Sequence, residues 1–212
     1  TDVVLMTATP IPRTLILTNY GDMNISTIKK KPFSNKNITT LIKPSLKIDE
    51  VIKFINERLN KNDQVYWVCP LINESEVLEC KAATNTYKEL QSKLKNINIG
   101  LIHGRMKMAE KEEVMSNFRN KKIDVLVSTT IIEVGLDVPN ATVIIIENSE
   151  RMGLSQLHQL RGRVGRGNKK SSCILIFKSG LSENAKKRIK ILKKTNDGFV
   201  ISEEDMKLRG YG

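Results

Sequence analysis

Short apolar runs without polar alternation recur along this chain: "QVYWVCPLI" at 64–72, "NIGLIH" at 98–103, "IDVLVST" at 123–129, "ATVIIIE" at 141–147 and "SSCILIF" at 171–177. A strand without inside–outside alternation is covered on both faces, so each run predicts a strand within a layered sheet. Between them, "SLKIDEVIKFINERLN" (45–60), "TNTYKELQSKLK" (84–95), "MAEKEEVMSNFRN" (108–120) and "SQLHQLRGRV" (155–164) carry apolar residues at three- and four-residue spacing, as a helix lying on a sheet requires. Strand and helix in alternation predict an α/β fold, a parallel sheet with helices on both faces.

The two ends break this pattern. "DVVLMTATPIPRTLIL" (2–17) predicts one strand, a turn and a helix beginning near Pro12, and "KKKPFSNKN" (29–37) a polar linker, so residues 1–30 read as the tail of a preceding domain. After the last strand, "SENAKKRIKILKKT" (182–195) predicts a basic helix. Ala185, Ile189 and Leu192 form its apolar stripe, and Lys186, Lys187, Arg188, Lys190, Lys193 and Lys194 are left for the outer face. "ISEEDMKLRG" (201–210) predicts a second helix with Ser202 as its N-cap, the pair forming a hairpin. The chain starts at Thr1 rather than Met and stops at "LRGYG", so it is expected to be part of something longer.

Charge narrows the partners. Lys and Arg number 35 against 23 Asp and Glu, a net charge of +12, which suits a polyanion such as nucleic acid. Lys, Asn and Ile are abundant everywhere, however, so charge alone leaves that question even. Cys69, Cys80 and Cys173 lack zinc-site spacing, and only His103 and His158 could assist them, so no metal is expected. Reduced thiols and the lack of an apolar run near ~18 residues predict a cytoplasmic protein with no membrane partner.

"QLHQLRGRVGRG" (156–167) sets three arginines and three glycines in twelve positions with no acid among them. In a helix over 155–163, Gln159 and Arg163 share a face, and "RVGRG" ends the helix with Arg166 nearby. Two guanidinium groups and an amide converging on one point suit a triphosphate whose transition state spreads charge over its oxygens. The alternatives are a basic helix on a phosphate backbone, or a solvated face. "VSTTIIEVGLDVPNA" (127–141) follows a strand, with Thr129 and Thr130 offering hydroxyls and Gly135 a close backbone approach. It and the arginine segment are expected to line one cleft outside the carboxyl ends of the strands. "HGRM" (103–106) also follows a strand and could offer Arg105 and backbone groups to a phosphate. No G-x-x-x-x-G-K-[ST] loop occurs in the chain, so the main cradle for a nucleotide is not in it.

Taken together, "TATP" (7–10), "VSTTIIEVGLDVP" and "QLRGRVGR" (159–166) resemble the closing motif of the first motor domain and the fifth and sixth motifs of superfamily 2 helicases. "VCPLINESE", "LIHGRMK", "SQLHQLRGRVGRG" and "DGFVISEEDMKLRG" resemble the RecG branch-migration family rather than the related transcription-repair coupling factors. The resemblance implies a remnant of the first motor domain at 1–30, a second RecA-like motor domain at 38–180 and a translocation hairpin at 181–212. It implies that Gln159, Arg163 and Arg166 face the γ-phosphate of ATP, with Gly135 and Asp137 near the ribose and His103, Gly104, Arg105 and Thr129 toward DNA. ATP with Mg would be held mainly by the first motor domain, and the parent would remodel stalled forks and junctions. Lys186, Lys187 and Lys190 are expected DNA contacts from their charge and position on the hairpin. The sequence departs from the family at Tyr211, where proline is usual. The competing reading is a non-catalytic nucleic-acid-binding module on the same fold.

Overall fold

The computed structural model describes residues 26, 38–70, 76–129, 138–167 and 169–209. The elements are β1 (Ile38–Pro44), α1 (Ile48–Leu59), β2 (Gln64–Val68), α2 (Glu76–Lys93), β3 (Ile99–Ile102), α3 (Met108–Arg119), β4 (Val125–Ser128), β5 (Ala141–Ile146), α4 (Leu154–Arg161), β6 (Ser171–Phe177), α5 (Glu183–Lys194) and α6 (Gly198–Arg209). The six strands form one sheet in the order β1-β6-β5-β2-β4-β3, and every pairing is parallel. This is the layered α/β fold that the apolar runs predict.

Alternate residues of each strand feed two cores. Val65, Trp67, Val127, Ile145 and Ile174 pack with Val51 and Ile55 of α1 and Ala83 and Leu90 of α2. Tyr66, Val68, Leu126, Ile144 and Leu175 face the opposite way. They meet Phe118 of α3, Leu154 and Leu157 of α4, Ile189 and Leu192 of α5, and Ile201 of α6. Strands β2, β4 and β5 are buried at every position, which is why they carry no alternation. Apolar burial on two faces is the main source of stability, at about 25 cal/mol per Å² removed from water.

Several boundaries differ from expectation. "ITTLIKP" forms β1, which the sequence pattern does not predict: among the described residues it is an edge strand whose one neighbour is β6, so it needs no continuous apolar run, and Pro44 is tolerated at its end. Helix α2 begins at Glu76 rather than near Thr84, because its first turns expose Val77 and Leu78 and so hide the apolar spacing. Ser202 is not an N-cap. Helix α6 starts at Gly198, where the Asp197 carboxylate accepts the Phe199 N–H at 2.8 Å, and Ser202 is buried inside the helix. Ser182 does cap α5, accepting the Ala185 N–H at 3.2 Å. The strand and helix expected within residues 1–30 lie outside the described residues.

Candidate functional site

Four of the predicted DNA-facing residues gather at the carboxyl end of the sheet, apart from the three lysines of the hairpin. His103, Gly104 and Arg105 follow β3 directly, and Thr129 follows β4, its neighbour in the sheet. The Thr129 N–H donates to the Ile102 carbonyl at 3.2 Å, which holds the two strand exits side by side. Thr129 and Ser128 are buried, and among the described residues neither hydroxyl has a hydrogen-bond partner. Lys111 Nζ donates to the Gly104 carbonyl at 2.9 Å and fixes the turn into α3, while Arg105 remains exposed. His103 Nδ1 lies 3.5 Å from the Cys80 thiol. Burial first, then the Lys111 and Arg105 cations, hold the imidazole below its usual pKa, so it is neutral at pH 7.

The arginine segment lies at the other end of the sheet, a correction to the single carboxyl-end cleft expected from the sequence. Helix α4 starts after β5 and runs back along the sheet. Its last residue, Arg161, reaches Thr40 near the amino end of β1, and Gly167 packs on Pro139, which precedes β5. Segment 127–141 itself runs from the carboxyl end of β4 to the amino end of β5, so it meets the arginine segment at Pro139. Gly135 and Asp137, within that segment, lie outside the described residues, as does Thr130.

Helix α4 stops at Arg161 rather than continuing to residue 163. The chain tightens there: the Arg163 N–H bonds to the Leu160 carbonyl at 2.9 Å, Val164 is buried, and Gly165 adopts φ 77°, a left-handed conformation that favours glycine. Gln159 is exposed on the last full turn of α4, and Arg163 and Arg166 are half-exposed beyond it. Arg166 Nε donates to the Gly162 carbonyl at 3.1 Å, which folds its side chain back over the turn. The three predicted nucleotide-facing side chains thus occupy eight consecutive residues, 159–166, braced by a buried valine and a tight turn.

The sequence pattern misses Arg161. Its guanidinium is buried and donates from Nη1 to the carbonyls of Leu192 at 2.7 Å and Thr195 at 3.0 Å and to Thr40 Oγ1 at 3.3 Å; Nη2 lies 3.0 Å from His158 Nδ1. A signal is available: Leu154, Leu157 and Arg161 recur at three and then four residues, which puts the arginine on the core face. Asp205 is also buried, and accepts the Ser155 hydroxyl at 2.7 Å. Helix α4 is therefore hydrogen-bonded to both helices of the hairpin. On α5, Ala185, Ile189 and Leu192 are buried and Lys186, Lys187, Lys190, Lys193 and Lys194 are exposed, as their spacing predicts, but Arg188, expected with them, is half-buried and donates from Nη2 to the Glu150 carbonyl at 2.9 Å. Glu183 pairs with Lys186 at 2.7 Å. Among the described residues, no group of three or more His, Cys, Asp or Glu could hold a metal ion, and no helix is long and apolar enough to cross a membrane.

A RecA-like parallel sheet with a braced arginine turn at one end and a polar strand-exit cluster at the other defines the second motor domain of a superfamily 2 helicase. The chain belongs to the helicase conserved C-terminal domain family, whose sequence profile matches residues 46–168. It is 51% identical over 210 residues to the ATP-dependent DNA helicase RecG of Haemophilus influenzae, covering 99% of this chain and 30% of that protein. Escherichia coli RecG is 50% identical over the same length and coverage. A solved structure of RecG bound to a three-way DNA junction matches 97% of this chain and 27% of its own, with a TM-score of 0.82 and 42% identity. The chain spans about 30% of the length of the curated relatives it matches.

Proposed function

We propose that this chain acts as the second motor domain of an ATP-dependent DNA helicase that remodels stalled replication forks and recombination junctions. Similarity to RecG over 99% of this chain is the observation that carries the reading, since RecG is an ATP-dependent DNA helicase and has been solved on a three-way DNA junction. In this reading residues 1–30 belong to the preceding motor domain, 38–180 form the second, and 181–212 form the translocation hairpin. His103, Gly104, Arg105 and Thr129 contact the DNA backbone at the carboxyl end of the sheet. The buried Ser128 and Thr129 hydroxyls, without a partner among the described residues, support a polar ligand there.

At the amino end, Gln159, Arg163 and Arg166 face the γ-phosphate, with Gly135 and Asp137 beside the ribose. The forked guanidinium groups suit the charge spread over phosphoryl oxygens during transfer, and the turn holds them in place before the nucleotide arrives. Magnesium and most of the nucleotide are held by the preceding motor domain. That division fits a chain without a phosphate loop and, among the described residues, without a metal-holding acidic cluster. The decisive experiment is Arg166→Ala in the full-length protein. DNA-stimulated ATP turnover falls by roughly 10³ or more while nucleotide affinity changes much less, because the side chain acts chiefly in the transition state. Equal losses in turnover and affinity would assign Arg166 to ground-state binding, and no loss would favour the non-catalytic reading.

A further inference from the structure

Two of the three cysteines are sealed in the cores. Cys69 and Cys173 are buried, and burial pushes both thiols up, Cys173 to about 12, so at neutral pH neither supplies a thiolate. Cys80 differs. It is half-buried on α2, Val77 one turn before it is exposed, and its Sγ lies 3.5 Å from His103 Nδ1. Ile99 and Leu101 of β3 and Val125 and Val127 of β4 face α1 and α2. The same alternation, carried one residue past each strand, puts His103 and Thr129 on that face too. There the Thr129 hydroxyl is buried and has no hydrogen-bond partner among the described residues. At His103 the Lys111 and Arg105 cations outweigh the Glu110 carboxylate, so the surroundings of the pair are electropositive. A partly exposed thiol with a basic partner in a positive field is the setting of a reactive cysteine.

We propose that Cys80 is a modification site, which takes up an anionic low-molecular-weight thiol as a mixed disulfide and thereby closes the carboxyl end of the sheet to DNA. This rests on the reading above, that His103, Gly104, Arg105 and Thr129 face the DNA backbone. The imidazole is neutral, and with its proton on Nε2 its Nδ1 accepts the proton of Cys80 as Sγ attacks one sulfur of a small disulfide. The new S–S bond forms on Cys80 and the old one breaks. Its electron pair leaves with the second sulfur, which takes the proton from His103 and departs as a thiol. Cys80 is oxidised and the departing half of the reagent is reduced; a further thiol reverses the exchange. The positive field favours a reagent that carries carboxylates. Once attached, those carboxylates compete with DNA phosphate for Arg105 and for the unpartnered Thr129 hydroxyl.

The test treats the full-length protein with glutathione disulfide at pH 7, locates adducts by peptide mass and fragmentation, and measures affinity for a synthetic three-way junction. The adduct on Cys80 is expected to form about tenfold or more faster than on Cys69 or Cys173, and to weaken junction binding by about fivefold or more until a thiol reductant removes it. Cys80→Ser keeps the unmodified affinity and loses the response. His103→Gln slows the Cys80 adduct by about tenfold, because an amide does not take up the proton. If that variant does not fold, the rate at Cys80 against the rates at the two buried thiols carries the test. Absence of an adduct on Cys80, a rate no faster than at the buried thiols, or an adduct that leaves junction affinity unchanged overturns the proposal. The underlying reading is judged separately by Arg105→Ala in the unmodified protein: unchanged junction affinity there removes the DNA role of the strand exits, whatever Cys80 does.

Discussion

Gly167 sits against Pro139 so closely that a Cβ on it would come 2.5 Å from the Pro139 carbonyl oxygen. This contact joins the end of segment 127–141 to the end of the arginine segment, one residue beyond Arg166. Gly167→Ala forces the two backbones apart, at a cost of about 1–3 kcal/mol in stability. In the full-length protein it should also lower ATP turnover by roughly 10², the loss typical of a reacting group misplaced by about 1 Å. Gly180→Ala is the control. Gly180 has φ 85° with nothing within 4 Å of a Cβ, so that substitution strains the backbone without touching the site. Turnover in Gly167→Ala within twofold of the parent would mean the arginine turn does not depend on Pro139.

Asp63 anchors the amino end of the sheet. Its side chain is 3% exposed and lies 2.9 Å from both Arg58 Nε and Lys169 Nζ, while Arg58 Nη2 also donates to the Lys170 carbonyl at 2.7 Å and Thr142 Oγ1 at 3.1 Å. The network ties the starts of β2, β5 and β6 together. Asp63→Ala leaves the Arg58 charge without its counter-ion. Removal of one partner from a fully buried pair costs ~3–5 kcal/mol. Lys169 is half-exposed and solvent screens it, so the loss here should be about 2–3 kcal/mol, or a Tm lower by roughly 5–10 °C. Thermal unfolding checks this, and a change under about 2 °C would show that water replaces the ion pairs at little cost.

The elements buried on both faces are legible in the sequence and those at the margins are not. Strands β2, β4 and β5 announce themselves because every position is buried and all but Gln64, Ser128 and Thr142 are apolar. The edge strand β1, with Thr39, Thr40 and Lys43, follows no such rule. Asp197 is hard to read as a cap because Gly198 looks like a turn residue, and Ser202 followed by two acids looks like a better start. The chemistry of Gln159, Arg163 and Arg166 is readable from residue type and spacing. Their location is not: an eight-residue helix spans about 12 Å, enough to carry a segment that begins at one end of a short strand most of the way to the other. Arg161 is hidden because arginine ordinarily points outward, although its spacing from Leu154 and Leu157 places it inside.

Glu147 supplies a pH test of the carboxyl end of the sheet. Burial raises its pKa above the ordinary carboxylate value, opposed in part by the hydrogen bond that Trp67 Nε1 donates at 2.6 Å. The folded state therefore holds this proton to higher pH than the unfolded chain, whose glutamate titrates near ~4.3. Stability from this group is complete below that value and is lost as pH rises toward the folded pKa. Glu147→Gln keeps an acceptor for Trp67 and has no charge to desolvate. The variant should be more stable than the parent at pH 7, with the difference closing below about pH 4. A variant less stable at pH 7 would mean the carboxylate gains more from its partners than burial costs.

The hairpin's basic face gives the last prediction. Lys186, Lys187 and Lys190 are exposed on α5, and the acid closest to them in sequence, Glu183, pairs with Lys186 at 2.7 Å, which holds the Glu183 carboxyl below its usual pKa. Lys186 is thus partly neutralised, and Lys187 and Lys190 are the stronger candidates for phosphate binding. The chain should bind duplex DNA weakly, without sequence preference, and less tightly as salt rises. Replacing all three lysines by glutamine should flatten the slope of log K against log salt by up to ~0.9 for each phosphate no longer neutralised, closer to two phosphates than three. Glu183→Gln, which releases Lys186, should move affinity at low salt in the opposite direction. If the triple variant changes neither the slope nor the low-salt affinity, the outer face of α5 does not touch DNA, and the hairpin acts on it only through the elements to which it is joined.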